Sequence, residues 1–240
     1  MRHFLFTRMV YPPSRWPIEA NRRRLAIFRG ITVRTLRASA YRQWRWVVMT
    51  HPDDPLRSER ERLVKDVCPT AIILSYTGPV PNETPALLRG IAHAGWRAAT
   101  RSIGDAVLTT RIDDDDGFTP DALSRIRSAV DACPEKTKRR AWVLPHGYRV
   151  WRGRSTFVRH ETNAWSSVLS PPGDPFVIFD TNHNKIQDVA PVSFVDDRPG
   201  WLWVRHEDTI SGTRTADQPI DDKVRRLFPI EWNLLAAPRA

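Results

Sequence analysis

The sequence predicts an α/β domain built on a single, mostly parallel sheet with helices on both faces. Three observations point there. Short apolar runs alternate one by one with stretches of helical periodicity, the pattern of right-handed βαβ crossovers. The 240 residues suffice for one large domain with a real core. A composition of 41% hydrophobic and 27% charged residues is that of a globular chain, which sets aside disordered and membrane-embedded classes.

The elements follow in order. "HFLFT", His3 to Thr7, reads as the first strand, and "ANRRRLAIFRGITVRTLRA" is a helix with Leu25, Phe28 and Ile31 on one face. "WRWVVMT", Trp44 to Thr50, is the second strand and stops at the turn-forming "HPDDP". A helix from Leu56 to Val67 presents Leu63, Val64 and Val67 to the core, and "AIILSY", Ala71 to Tyr76, is the third strand. "TPALLRGIAHAGWRAATRS" is helical again. "DAVLTTRID" then forms a strand that runs into four consecutive carboxylates, Asp113 to Asp116, and Thr119 and Pro120 open the next helix as N-cap and first helical residue. "WLWVR", Trp201 to Arg205, is the closing strand.

Charge narrows the partners. Lys and Arg number 37 against 27 Asp and Glu, a net +10 that favours an anionic partner such as nucleic acid, a nucleotide or a membrane surface. The densest basic runs, "NRRR" at Asn21 to Arg24 and "KTKRR" at Lys136 to Arg140, read as a solvated helix face and an inter-element loop. No uncharged apolar stretch approaches the roughly 20 residues of a membrane helix. "MRHFLFTR" meets Arg8 before it could form a signal-peptide core, so the expected location is cytoplasmic. Cys68 and Cys133 lack the partners of a zinc site or a disulfide framework and are expected to be reduced.

Four adjacent carboxylates repel one another, so either a solvated turn spreads them or a cation offsets them. In open α/β sheets ligands bind beyond the carboxyl ends of the strands, which is where this cluster falls. An EF-hand loop is excluded: counting from Asp113, the sixth position is Phe118 instead of glycine and the twelfth is Ser124 instead of glutamate. Two or three carboxylates on a strand-end turn suit holding Mg²⁺ or Mn²⁺ against the oxygens of a diphosphate. The alternative is an acidic turn that favours the next helix through its dipole.

At this point the residues resemble a known family. "VLTTRIDDDDGF" is similar to the signature of the putative rhamnosyltransferase family, a branch of the GT-A glycosyltransferases whose strand ends in an R-[LI]-D-x-D-D turn. "FLFTRM" resembles that family's opening strand with its Thr-Arg pair, with Met9 and Val10 where the family continues Phe-Asn. "LAIFRGITVRTLRASAYRQWRWVVMTHPD" resembles its first helix and second strand, and "GWLWVRHEDTIS" its closing segment. The similarity spans roughly residues 3 to 213 and is weakest from Tyr148 to Phe176.

The resemblance implies a GT-A glycosyltransferase-like domain over residues 1–213, with 214–240 an extension that docks on the core or a partner. It implies transfer of a sugar, rhamnose among the candidates, from a nucleotide-diphosphate donor to a saccharide, lipid-linked or small-molecule acceptor. Asp113 would contact the donor ribose or the metal, Asp115 would be the principal metal ligand, Asp116 would orient the metal or sugar hydroxyls, and Asp114 would point away. Thr7, Arg8 and Arg111 would face the nucleotide sugar, the arginines reaching its phosphates or pairing with a carboxylate. His206, just past the closing strand, would complete the metal site and tilt it from Mg²⁺ toward Mn²⁺. "FDTNHNKIQD" would supply a general base, His183 first and Asp180 second. Trp44, Trp46, Trp201 and Trp203 alternate in strands and read as core, whereas Trp151 and Trp165 are acceptor-site candidates. Two other readings fit the basic charge: glycosylation of a modified nucleic-acid base, and a non-catalytic nucleic-acid-binding protein.

Overall fold

The computed structural model describes residues 1–9, 17–75, 105–163, 165–174, 176–178, 181, 183–206 and 216–236. Strands β1 (Arg2–Met9), β2 (Arg45–Thr50), β3 (Ile72–Ser75) and β4 (Val107–Arg111) lie parallel in the order β3-β2-β1-β4. Side chains of β1 go alternately to the two faces: Leu5 and Met9 into one apolar layer, Phe4 and Phe6 into the other. Both faces of the sheet are therefore buried, as parallel strands require.

Between β1 and β2 runs one long helical stretch. It comprises α1 (Ile18–Phe28), a π-helical turn (Arg29–Val33) and α2 (Arg34–Ala38), with helical backbone angles at both junctions. Helix α3 (Arg57–Val67) follows β2 and buries Leu63 and Val64. The helix expected over Thr84 to Ser102 lies outside the described residues.

The expected single, mostly parallel sheet is replaced by two mixed sheets. The first has seven strands in the order β10-β6-β9-β4-β1-β2-β3, in which β9 (Ser167–Ser170) pairs antiparallel with both β4 and β6 (Arg140–Val143), and β10 (Val192–Phe194) lies at the edge. The second, in the order β12-β8-β7-β11-β5, comprises β5 (Gly117–Phe118), β7 (His146–Trp151), β8 (Arg154–Arg159), β11 (Trp201–Val204) and β12 (Gln218–Pro219). The reason is connection length. β7 and β8 are joined by only Arg152 and Gly153, and two residues can make a hairpin but no crossover. Both turn residues have positive φ, 47° at Arg152 and 74° at Gly153, as a type I′ hairpin needs. At Arg152 that conformation costs about 1–2 kcal/mol, which glycine would not incur.

Helix α4 (Ala122–Ala132) begins two residues later than expected, with Asp121 as its N-cap. The Thr119 N–H is taken by the Gly200 carbonyl and the Pro120 carbonyl by the Ala40 N–H, so both backbone groups serve neighbouring segments instead of the helix. Trp165 is also reassigned. It is 1% exposed and stacks on Trp201 at 4.5 Å with rings 4° apart, which makes it core. Gly147 leaves room for that stack, since a Cβ there would lie 2.1 Å from the Trp201 ring.

A third apolar layer ties the two halves together. Ile27 and Ile31 of the first helical stretch meet Tyr148, Val150, Leu202 and Val204 of the second sheet. The C-terminal segment packs on the same layer through Val224 of α5 (Asp222–Leu227), Phe228, Ile230 and Leu235, while β12 adds to the sheet edge.

Candidate active site

β4 lies between β1 and β9 in the first sheet, and its carboxyl end delivers the acidic turn. Pairing persists one residue past the strand, the Ile112 N–H donating to the Phe6 carbonyl. The chain then reverses with the Asp116 N–H on the Asp113 carbonyl. The first helical stretch holds the turn from below. Thr32, inside the π-helical turn, donates its hydroxyl to the Asp116 carbonyl at 2.7 Å and stands 3.5 Å from that of Asp113. A π-turn inserts one residue into a helix and re-aims the side chains after it, and such turns are frequent at functional sites. Gly117 lets the two segments touch, because a Cβ there would lie 2.9 Å from the Thr35 methyl.

Each carboxylate has its own partners. Arg111 grips Asp113 through two parallel bonds of 2.9 Å. Arg24 donates from α1 to Asp114 at 3.1 Å and Asp115 at 3.5 Å. The same Asp115 oxygen lies 3.0 Å from Nε2 of His206. Asp116, 1% exposed, accepts the Val204 N–H at 3.0 Å, which couples the turn to β11. The charges of Arg8 and Arg205 act on Asp113 and Asp116 respectively. The guanidiniums of Arg8, Arg24, Arg111 and Arg205 thus offset the repulsion among the carboxylates of the turn.

These partners set the ionisation. Burial pushes Asp115 upward, but the bond to His206 and the charges of Arg24 and His206 overcome it and hold the group at about 2. Asp113 is likewise raised by burial and brought below the usual carboxylate range by Arg111 and Arg8. Asp116 goes the other way: burial, then the neighbouring charges of Asp115 and Asp113, raise it well above an ordinary carboxylate. One turn therefore contains two firmly ionised carboxylates beside one that resists ionisation. Arg205 is lowered by burial against the pull of Asp116 and Asp115, and its guanidinium sits 3.8 Å from the Trp203 ring centre.

A buried scaffold positions Arg24. Arg60 and Asp54, both with fully buried side chains, pair at 2.8 Å, and Arg60 also donates to the Asn21 side-chain oxygen at 3.3 Å, one helical turn before Arg24. "NRRR" is therefore not a uniformly solvated face: Arg22 and Arg23 are exposed while Asn21 and Arg24 point inward.

Of the residues expected from sequence, the structure brings Arg111, Asp113, Asp115, Asp116 and His206 together. Asp114, expected to point away, instead faces Arg24 and is 4% exposed. Thr7, expected at the nucleotide, is fully buried, its hydroxyl accepting the Trp46 indole N–H at 2.9 Å. His183 is the first residue of a 3-10 helix, His183–Asp188, and Asp180 lies outside the described residues. Sequence reading missed Arg24, Thr32 and Arg205. For Arg24 a signal existed: it follows Asn21 by three positions and precedes Phe28 by four, on the helix's inner stripe.

Among the described residues no three His, Cys, Asp or Glu side chains are placed to hold a metal ion. Arg111 donates to both oxygens of Asp113 and the Val204 N–H to one oxygen of Asp116, while Asp115 and His206 face each other.

The four-carboxylate turn at the end of a central parallel strand, backed by a helix that supplies an arginine, lies where open α/β sheets bind ligands. The family model described as "Putative rhamnosyl transferase" matches residues 8–218, and the chain belongs to that family. A comparison with curated proteins finds no match. Among solved structures the chain is similar to S. aureus TarS 1–349 in complex with UDP, at 9% identity and a TM-score of 0.44, covering 85% of this chain and 61% of that one. A putative nucleotide-diphospho-sugar transferase from Desulfovibrio desulfuricans G20 gives 14% identity and a TM-score of 0.41 over 86% of this chain and 83% of the other. The mannosyltransferase PcManGT from Pyrobaculum calidifontis, in complex with GDP-Man and Mn²⁺, gives 13% identity and a TM-score of 0.33 over 64% and 36%. The chain thus spans about three-fifths of the length of TarS 1–349.

Proposed function

We propose that the chain transfers a sugar, rhamnose being the first candidate, from a nucleotide-diphosphate donor to an acceptor hydroxyl, with the acidic turn at the donor. The observation that carries this reading is Asp115, held between Arg24 and His206 at the carboxyl end of a central strand. In the reaction the bond from the anomeric carbon to the diphosphate oxygen breaks and its electron pair leaves with the diphosphate. The acceptor oxygen bonds to that carbon and its proton passes to a base. The enzyme has to favour charge building on the leaving oxygen. Arg8, Arg24, Arg111 and Arg205 offset the carboxylates, so an anionic diphosphate meets no net repulsion. Asp113 and Asp115, both ionised, are available to accept hydrogen bonds from ribose or sugar hydroxyls.

No step is assigned to Mn²⁺ or Mg²⁺. Release of nucleoside diphosphate from a panel of nucleotide sugars, in EDTA and with added Mn²⁺, tests the reading. Turnover of at least one donor by the wild type, reduced about 100-fold or more in Arg24→Ala, is the expected result. Failure to turn over or bind any nucleotide sugar under either condition would reject it.

A further inference from the structure

The π-helical turn Arg29–Val33 touches the acidic turn on one side and the C-terminal segment on the other. Toward the acidic turn, Thr32 donates its hydroxyl to the Asp116 carbonyl at 2.7 Å. Toward the C-terminal segment, the Gly30 carbonyl accepts the Glu231 N–H at 2.9 Å, a bond from outside the helix. Residues two positions apart do not share a helix face, so this turn is gripped from two sides at once. Ile31, between them, belongs to the apolar layer that Phe228, Ile230 and Leu235 complete, and its methyl would lie 3.5 Å from a Cβ at Gly117.

The close approach is written into the sequence. Glycine is the poorest helix former after proline, yet Gly30 sits buried inside a continuous helical run. A Cβ there would overlap the terminal carbon of Leu234 and lie 3.2 Å from the Glu231 Cβ, so a glycine lets the 3-10 helix Trp232–Leu235 seat against the π-helical turn. The ion pair that accompanies this contact, Arg34 with Glu231 at 3.3 Å, is half-exposed and contributes little. Packing and the backbone bond therefore make the joint. The segment that supplies Glu231 and Leu234 lies beyond the family-matched span of 8–218, whereas the acidic turn lies within it.

We infer that Leu234 and Glu231 are positioning residues for the acidic turn: they seat the π-helical turn, and Thr32 of that turn fixes the backbone that carries the carboxylates. With Leu234 cut back, the π-helical turn loses its outer support and the Thr32 hydroxyl leaves the Asp116 carbonyl, a buried acceptor that then lacks this donor. The carboxylates shift with their backbone, and a displacement of about 1 Å at such a site is enough to weaken what it binds. That the bound group is a sugar donor rests on the glycosyltransferase reading; the mechanical link does not.

Amide hydrogen exchange on the full chain, read residue by residue, tests the link without any ligand. Two amides report on the turn: the Asp116 N–H on the Asp113 carbonyl, and the Val204 N–H on the Asp116 carboxylate. Leu234→Ala should speed the exchange of both by about tenfold or more relative to amides of β1 and β2. Leu234→Met, which fills similar space, should leave them near wild type. Val224→Ala removes buried carbon from the same apolar layer, but from α5 instead of the helix that meets Gly30, and controls for a plain loss of stability. It should lower the melting temperature without singling out the two reporters. In a Thr32→Val background Leu234→Ala should add little, because the connection is already cut. A nucleotide sugar bound by the wild type should bind about tenfold or more weakly to Leu234→Ala and as before to Val224→Ala. Equal acceleration in Leu234→Ala and Val224→Ala, or the full Leu234→Ala effect persisting with Thr32→Val, overturns the inference, as does unchanged donor affinity in Leu234→Ala. Absence of any donor binding by the wild type, with the exchange pattern as expected, counts against the transferase reading and leaves the link standing.

Discussion

Asp116 is the carboxylate on which the electrostatics of the turn are most easily read. Its ionisation is opposed in the folded protein by burial and by Asp115 and Asp113, so its folded pKa lies above its unfolded one. The stability it contributes is present below the unfolded value and is lost as pH rises through the folded value, by about 1.4 kcal/mol for each unit of difference. In metal-free protein Asp116→Asn should therefore be no less stable than wild type at pH 7, with its advantage growing between acid and neutral pH. Chemical denaturation from pH 4 to 8 checks this, and a mutant that loses ground as pH rises would mean Asp116 is ionised and well paired. Asp115 has the opposite sign: its pairing contributes above its unfolded value and is lost only as pH falls toward about 2. The identity of these acidic residues was legible in the sequence because four consecutive carboxylates after an apolar run have few structural uses. Their counter-charges were not. A buried arginine and a solvated one look alike in "NRRR", and only the spacing to Asn21 and Phe28 separates Arg24 from Arg22 and Arg23.

The elements divide in the same way. The β1–β4 half could be read from alternation, since each parallel strand needs a crossover long enough to show its periodicity. The second sheet was not legible because its strands are scattered along the chain, with β6, β9 and β10 of the first sheet between them, and the one local signal, Gly153 in "WRGR", marks a hairpin without saying which sheet it joins. The contact between the π-helical turn and the acidic turn is the element-scale feature that matters for function. Gly117→Ala would push a methyl against the Thr35 methyl at 2.9 Å, displacing the turn at a cost of about 1–3 kcal/mol. Thr35→Ser removes that methyl and keeps the hydroxyl that donates to the Thr32 carbonyl at 3.0 Å. Thermal melts should show Gly117→Ala destabilised and the double variant partly restored. Equal melting temperatures for both would mean the two segments are not in register there.

At the scale of the molecule the two densest basic runs are partly committed to local pairs, and the net +10 is an excess left over from such pairing. Arg24 is committed to the acidic turn, Arg139 grips Asp174 through bonds of 2.8 and 2.7 Å, and Arg140 lies 3.9 Å from Glu135. A nucleic-acid groove would need such cations free and aligned. Duplex binding should therefore be weak, without the roughly thousandfold loss between 50 and 200 mM salt that six or more phosphate contacts produce. Tight low-salt binding with that slope, abolished by charge reversal at Arg22 and Arg23, would favour a nucleic-acid acceptor. Among the described residues no helix is long and apolar enough to cross a membrane. The central claim is that the acidic turn binds a nucleotide sugar, and the melting temperature of the whole chain tests it most directly. A donor held at about 100 times its dissociation constant adds about 2.7 kcal/mol, or roughly 5–11 °C for a chain of this size. With a panel of nucleotide sugars that includes nucleotide-linked rhamnose, the wild type should rise by that amount with at least one donor, and Asp115→Asn, folded, should not rise with the same donor. An equal rise in both proteins would contradict the account.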